Sequence, residues 1–264
     1  MKITTATLKK KKQKGEKITM LTAYDYPTAL IVDRAGTDMI LVGDSLGNVV
    51  LGYDNTTKVT MEDMIYHTKM VVRAAAESLV VADLPFLSCS TGVRDAVINA
   101  GRLVMEGGAS MVKLEGGAEF CEEVRAIVRA AIPVMGHIGL QPQSVHKYGG
   151  YFIQGKDDDT AEQILNDAKS LEEAGASALL LECVPASLAR RVTDAVSIPT
   201  IGIGAGVGCD GQVLVLHDML GLYHGKTSKF VKKYADLSKI IEDAVSEYNN
   251  EVRNSSFPGD EHSF

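Results

Sequence analysis

The chain has 264 residues, 45% of them hydrophobic and 23% charged, a balance that suits one large α/β domain or two small ones, with a substantial core. Its formal net charge of −7 and pI near 5.4 argue against an electrostatic nucleic-acid binder, whose surface is expected to be basic. With no apolar run long enough to span a bilayer and no signal-type apolar segment near the N-terminus, a cytoplasmic protein acting on small molecules is expected, without nucleic-acid or membrane partners.

Residues 1–17 carry the lysine-rich run from Lys9 to Lys14 and read as a solvated terminal segment. Apolar runs of strand length follow: ITMLTAYD (18–25), MILVGDS (39–45), LVVADLP (79–85), MVKLEGG (111–117), PVMGHIG (133–139), ALLLECV (178–184), PTIGIGA (199–205) and QVLVLHD (212–218). Segments with helical apolar spacing separate most of them, such as 59–76 and 160–174, and this alternation predicts a parallel sheet. Eight such runs over roughly 250 residues match a closed (β/α)₈ TIM barrel occupying 1–264 as a single domain. An open doubly wound sheet is the alternative. A C-terminal amphipathic helix is predicted over 236–252, with Leu237, Ile240, Ile241, Ala244, Val245, Tyr248 and Val252 on one face to pack on the barrel or on a neighbouring subunit. The tail, 253–264, reads as flexible. Cys89, Cys121, Cys183 and Cys209 lie far apart without a C-x-x-C pair, so neither a zinc knuckle nor a disulfide framework is indicated.

A weak internal repeat supports the barrel. AGTDMILVGD (35–44), GGASMVKLEG (107–116) and AGASALLLEC (174–183) each run from a helix-ending Gly through an apolar strand to an acid. LVVADLP repeats the strand and acid with Asp83, and PVMGHIG puts His137 at the matching place. Taken singly, each acid is a turn former or helix N-cap. In a parallel barrel all strand C-termini share one face, so Asp44, Asp83, Glu115, His137 and Glu182 are expected around one mouth, where such barrels keep their chemistry. Acids so concentrated raise one another's pKa unless a cation or a chemical task uses them.

Other features read as structural. GVGCDG (206–211) has the spelling G-x-G-x-x-G, but the segment after it looks like a strand, so the strand-turn-helix context of a dinucleotide site is missing. The glycines of IGIGAG (201–206) could offer N–H groups to a phosphate, but a tight barrel wall explains them more simply. His67 and His217 have no partner at metal-ligand spacing and read as structural histidines.

The motifs LTAYDYPTA, VGDSLG, GYDNTTKVTMEDMIYHT, ADLPF, VKLEGG, GHIGLQPQSV, YGGYFIQG, LLLECVP, IPTIGIGAG, DGQVLVLHDMLG and FPGDEHSF occur in this order, and together the chain resembles the ketopantoate hydroxymethyltransferase family. The resemblance runs from about Leu21 to the C-terminus; only the N-terminal segment and residues 223–237 lie outside it. It implies a (β/α)₈ barrel that binds Mg²⁺. It also implies transfer of a hydroxymethyl group from 5,10-methylenetetrahydrofolate to 3-methyl-2-oxobutanoate, giving 2-dehydropantoate for pantothenate biosynthesis. By resemblance, Asp44, Asp83 and Glu115 correspond to the metal site, Ser45 with Asp44, Asp83 and Lys113 to the keto-acid site, and Glu182 to the proton acceptor. His137 is a neighbour of that site. The family also implies a homo-oligomer, a homodecamer in its bacterial members.

The residue types suit that chemistry. Mg²⁺ prefers carboxylate and water oxygens and leaves positions for substrate oxygens. Lys113 stands two residues before Glu115, so on a strand both point to one face, and a lysine between Val112 and Leu114 is poorly explained as a side chain reaching for solvent. Glu182 ends the apolar run ALLLE and is expected to be poorly solvated with a raised pKa, whereas Asp44 and Asp83, held by a cation, are expected to stay ionised. Two other readings share these acids: a Mg²⁺-dependent lyase or mutase acting on C–C or P–C bonds of 2-oxo acids, separated by having no need of folate, and a metal-stabilised scaffold, separated by having no affinity for keto acid.

Overall fold

Eight parallel strands close a barrel in sequence order in the computed structural model, which describes residues 2–222, 225 and 228–264. They are β1 (Ile18–Thr22), β2 (Met39–Val42), β3 (Leu79–Asp83), β4 (Met111–Glu115), β5 (Val134–Gly139), β6 (Ala178–Glu182), β7 (Thr200–Ile203) and β8 (Gly211–Leu214). The expected (β/α)₈ architecture is present. The last strand stops at Leu214, earlier than its apolar run suggests, and Leu216–Met219 turns helical. Between Ile18 and Asp210 the barrel closes by pairing β1 with β8, Met20 opposite Val213. A Cβ on Gly211 would lie 2.4 Å from Ile18 O, so only glycine fits that wall. This tight packing accounts for one glycine of the G-x-G-x-x-G spelling, and a strand does follow it.

Before β1 lies α1 (Thr5–Lys14), and the barrel's remaining helices are α2 (Tyr26–Arg34), α3 (Leu46–Val49), α4 (Met61–Ala74), α5 (Val93–Met105), α6 (Cys121–Arg129), α7 (Val145–Tyr148), α8 (Asp158–Glu173) and α9 (Ala186–Ala195). Local chemistry starts several of them. Thr60 and Asp63 cap α4 reciprocally, with the Asp63 N–H donating to Thr60 Oγ1 at 3.1 Å and the Thr60 N–H to Asp63 Oδ2 at 3.0 Å. Asp157 accepts the Thr160 N–H at 2.9 Å and opens α8, which buries Ala161, Ile164, Leu165, Ala168 and Leu171 at helical spacing. Strands β2 to β6 are buried on both faces because the barrel interior lies on one side and helices on the other.

The N-terminal segment departs from expectation. It folds as α1, whose Leu8 is fully buried. Lys12 Nζ donates to Thr193 O and Ile198 O, both at 2.9 Å, and meets Asp210 Oδ2 at 3.0 Å; Lys11 pairs with Asp38. Asp38 and Asp210 immediately precede β2 and β8, so these lysines bind the N-terminal rim of the barrel. The run looked solvated because it is charged, but Lys stems lie along apolar surface while their ammonium groups reach acids that only the closed barrel supplies. Leu8→Ala is therefore expected to cost about 2–5 kcal/mol, read as a lowered midpoint of denaturant unfolding. A change within about 0.5 kcal/mol would mean that α1 does not plug the barrel.

The barrel unit ends at Val215, and residues from Leu216 to Phe264 form a second compact unit. That unit contains α10 (Leu216–Met219) and α11 (Leu237–Arg253), the predicted C-terminal helix. Its predicted stripe is exposed: Ile240, Ile241, Val245, Tyr248 and Val252 retain between 44% and 59% of their accessible surface. The tail expected to be flexible turns back on the helix, with the Phe257 ring 5.6 Å from that of Tyr248 and a short 3₁₀ turn at Asp260–His262. Among the described residues no helix is long and apolar enough to cross a membrane, and all four cysteines are free thiols.

Candidate active site

Asp83, Glu115 and Glu182 are the last residues of β3, β4 and β6, Asp44 stands two residues beyond β2, and His137 lies within β5. The parallel register brings them together. Asp83 is paired with Lys113 across β3 and β4, Glu115 with His137 across β4 and β5, and Gly139 with Glu182 across β5 and β6. Gly139 has φ +93°, and a Cβ there would lie 2.3 Å from Glu182 O. This close approach lets the Leu140 N–H donate to Glu182 O at 2.8 Å, tying the chain after β5 to the end of β6.

The side chains form one continuous polar cluster. The Asp44 N–H donates to Asp83 Oδ2 at 3.0 Å, while the Asp44 carboxylate accepts from the Gln143 side-chain amide at 2.9 Å. Asp83 Oδ1 lies 3.0 Å from Lys113 Nζ, which in turn donates to His137 Nδ1 at 3.1 Å. An ammonium only donates, so His137 Nδ1 must accept, and the ring proton sits on Nε2, 3.2 Å from Glu182 Oε2. Glu115 Oε1 is 3.7 Å from His137 Nδ1. Ser45 precedes α3 without capping it; its hydroxyl instead meets Tyr24 OH at 2.8 Å.

Burial dominates the electrostatics. It pushes the Glu182 carboxyl up to about 7, with Lys113 opposing. Burial, then the neighbouring Asp83, pushes Asp44 up to about 7 as well. Burial and Asp44 hold Glu115 well above the usual carboxylate range. Burial also opposes the Lys113 charge, but Asp83, Glu115 and Asp44 outweigh it and raise its pKa. His137 is held well below the ordinary histidine value by burial and by the Lys113 ammonium, so its imidazole is neutral. The contrast expected between Glu182 and Asp44 is therefore absent from the chain's own groups. Apolar enclosure and a like charge raise Asp44 as far as apolar enclosure raises Glu182.

Four clustered carboxyl groups, Asp44, Asp83, Glu115 and Glu182, face one ammonium, so without a further cation they are driven toward protonation, and the carboxyl donors are all oxygen. Asp83 Oδ1 is buried without an aligned hydrogen bond. Among the described residues no three His, Cys, Asp or Glu side chains converge closely enough to form a complete protein cage. A hard cation held by one or two carboxylates, with water and substrate oxygens completing its shell, fits this donor set; a zinc-type cage does not.

Two residues of the site were missed in sequence. Gln143, on the turn Pro142–Ser144, donates its backbone N–H to Glu115 Oε2 at 2.9 Å and its side-chain amide to Asp44 Oδ2 at 2.9 Å. Tyr24 follows β1 and holds Ser45. For Tyr24, two residues past β1, the available signal was the same one that picked out the acids, a polar residue just beyond a strand C-terminus; Gln143, four residues past β5, carried no such signal. His67 is structural as expected: its Nδ1 is 2.6 Å from Tyr24 O.

A family profile described as ketopantoate hydroxymethyltransferase matches residues 2–260. The 3-methyl-2-oxobutanoate hydroxymethyltransferase of Moorella thermoacetica is 60% identical over 263 residues, covering 100% of this chain and 98% of that protein. Its counterpart from Syntrophomonas wolfei is 59% identical and covers 100% and 95%. Among solved structures, a phosphonopyruvate hydrolase complex with oxalate and Mg²⁺ superposes with TM-score 0.62 at 12% identity, covering 98% of this chain and 92% of that one. A 2,3-dimethylmalate lyase of the PEP mutase/isocitrate lyase superfamily gives 0.61 at 14%, covering 100% and 93%. At such identities these two structures share the fold alone.

Proposed function

The chain belongs to the ketopantoate hydroxymethyltransferase family, and from that premise we propose how its buried cluster carries the reaction. It is a 3-methyl-2-oxobutanoate hydroxymethyltransferase, which adds a hydroxymethyl group to 3-methyl-2-oxobutanoate to give 2-dehydropantoate in pantothenate biosynthesis. Glu182 is the base that removes the C3 proton. The observation that carries this assignment is its place: last residue of β6 at the barrel mouth, largely buried, raised to about 7, and with Oε2 3.2 Å from the Nε2 of a neutral His137, without an aligned hydrogen bond between them.

Lys113, buried and charged, neutralises the substrate carboxylate, and Ser45, held by Tyr24, offers its hydroxyl beside Asp44. Asp44, Asp83 and Glu115 would hold Mg²⁺, one or two of them directly and with water and substrate oxygens completing the shell; the ion would supply the charge that keeps these carboxylates ionised and would polarise the keto group. Once the C3 proton is on Glu182, C3 forms the new C–C bond to the methylene carbon of 5,10-methylenetetrahydrofolate; both bonds from that carbon to folate nitrogens break, water supplies the hydroxyl oxygen, and the C3 proton and one water proton end on the two nitrogens of the departing tetrahydrofolate. The assembly is a homo-oligomer, a homodecamer by family resemblance, and the exposed stripe of α11 supports association. The enzyme works in the cytoplasm.

Chelator is expected to abolish turnover and Mg²⁺ to restore it, with Asp44→Ala and Asp83→Ala losing keto-acid binding as well as rate. Full turnover in metal-free buffer, or turnover without the folate donor, would refute this reading. The pH dependence has a definite sign. A base near 7 must be ionised, so C3 exchange is expected to fall about tenfold per pH unit well below 7. In the metal-free protein the same shifts act on stability. Asp44 and Glu182, each raised to about 7, bind protons more readily folded than unfolded. Their stabilising contribution is therefore present at low pH and lost as pH rises from the ordinary carboxylate range through about 7. Denaturant unfolding at pH values on either side of that window checks it.

A further inference from the structure

Gln143 touches three neighbouring strand ends at once. Its backbone N–H reaches Glu115 at the end of β4, while its side-chain amide donates to Asp44 Oδ2 beyond β2 at 2.9 Å and to Leu84 O just after β3 at 3.0 Å. We infer that Gln143 is a positioning residue for cation and keto acid, holding Asp44 and Glu115 in the orientation that binding requires. This rests on the reading of those two carboxylates as metal-site residues.

A carboxylate on a flexible stem turns freely unless something holds it, and buried like charges turn away from one another. Gln143 opposes both tendencies. Its amide has two N–H donors, and both are used, so the group is fixed with its nitrogen toward Asp44; the reverse orientation would set a carbonyl oxygen against a carboxylate oxygen. It takes one oxygen of each carboxylate and leaves the other oxygen of each for a different partner. It is also neutral. A lysine or arginine here would hold the carboxylates equally well but would compete with a cation for their charge, whereas an amide orients them and leaves that charge unspent. The position suits this task because Pro142 begins the turn and Gly139 brings the chain back over the mouth directly after β5.

The test uses Gln143→Ala and Gln143→Asn. The asparagine variant keeps the backbone N–H on Glu115 and the amide chemistry but is one methylene too short to span Asp44 and Leu84. Mg²⁺ alone is titrated calorimetrically into wild type and both variants, followed by 3-methyl-2-oxobutanoate, beside steady-state kinetics and thermal unfolding in chelator. Loss of an outer partner of a metal-binding group typically weakens metal affinity about 10- to 100-fold, and that loss is expected in both variants. KM for the keto acid should rise by a similar factor, while kcat at saturating Mg²⁺ returns close to wild type. A merely structural glutamine would lower the metal-free melting temperature and leave the Mg²⁺ affinity of the folded variant unchanged, and that result would overturn the inference. If alanine prevents folding, the asparagine variant decides. Wild-type protein that binds no Mg²⁺ would overturn the reading of Asp44 and Glu115 together with the inference, whereas wild-type affinity in both variants would overturn the inference alone.

Discussion

Glu182→Gln is expected to slow exchange of the C3 proton of 3-methyl-2-oxobutanoate with D₂O by roughly 10²- to 10⁴-fold, the usual effect of removing a general base, and hydroxymethyl transfer by the same factor. Binding of Mg²⁺ and keto acid should survive. Glutamine has nearly the shape of glutamate and cannot take a proton. The His137 beside it is neutral, so the substitution strips no buried cation of its counter-ion. NMR-monitored exchange on wild type and variant, with and without tetrahydrofolate, beside a binding titration, separates proton removal from carbon transfer. Exchange at the wild-type rate would pass the role to another residue, and His137 would be tested first. The geometry makes His137 a poor base, because Lys113 already occupies its Nδ1 and its Nε2 carries the proton.

Lys113→Met is expected to give the largest loss of stability, about 3–5 kcal/mol in metal-free protein above pH 8, as is typical when one partner of a buried ion pair is removed. Both side chains of the Lys113–Asp83 pair are almost wholly buried, and the same ammonium also offsets Asp44 and Glu115. Without it, several carboxylates share a low-dielectric site with no counter-charge. They escape by taking up protons, so the penalty should shrink as pH falls toward 5. Keto-acid binding should be lost at every pH, since the charge that meets the substrate carboxylate is gone. Denaturant unfolding across pH with a parallel titration reads both effects. A loss under about 1 kcal/mol above pH 8 would mean that Lys113 is not the counter-ion of this cluster.

The strand-then-acid repeat was legible because it is local. Asp83, Glu115 and Glu182 each end an apolar run, and a parallel barrel turns that shared position into a shared rim. Lys113 was legible as well, being two residues from Glu115 on one strand. Gln143 was not: its partners Asp44 and Leu84 lie 99 and 59 residues away, and nothing in GLQPQSV distinguishes a glutamine that reaches the mouth from one in a solvated turn. The lysine run of α1 misled for the same reason, since Lys12 finds its carbonyl partners 181 and 186 residues further along the chain.

The sequence by itself determined the barrel, the end of it that carries the acids, and the family with its reaction, because each of these depends on local periodicity or on motifs in order. Tertiary structure decided what each acid is able to do. Lys113 serves Asp83 and His137 together, the imidazole proton is placed on Nε2, and Asp44 is raised as far as Glu182. Those properties follow from burial and from distances between neighbouring strands, and an ionisable group's behaviour is set by the dielectric and the charges around it rather than by the residues beside it in the chain.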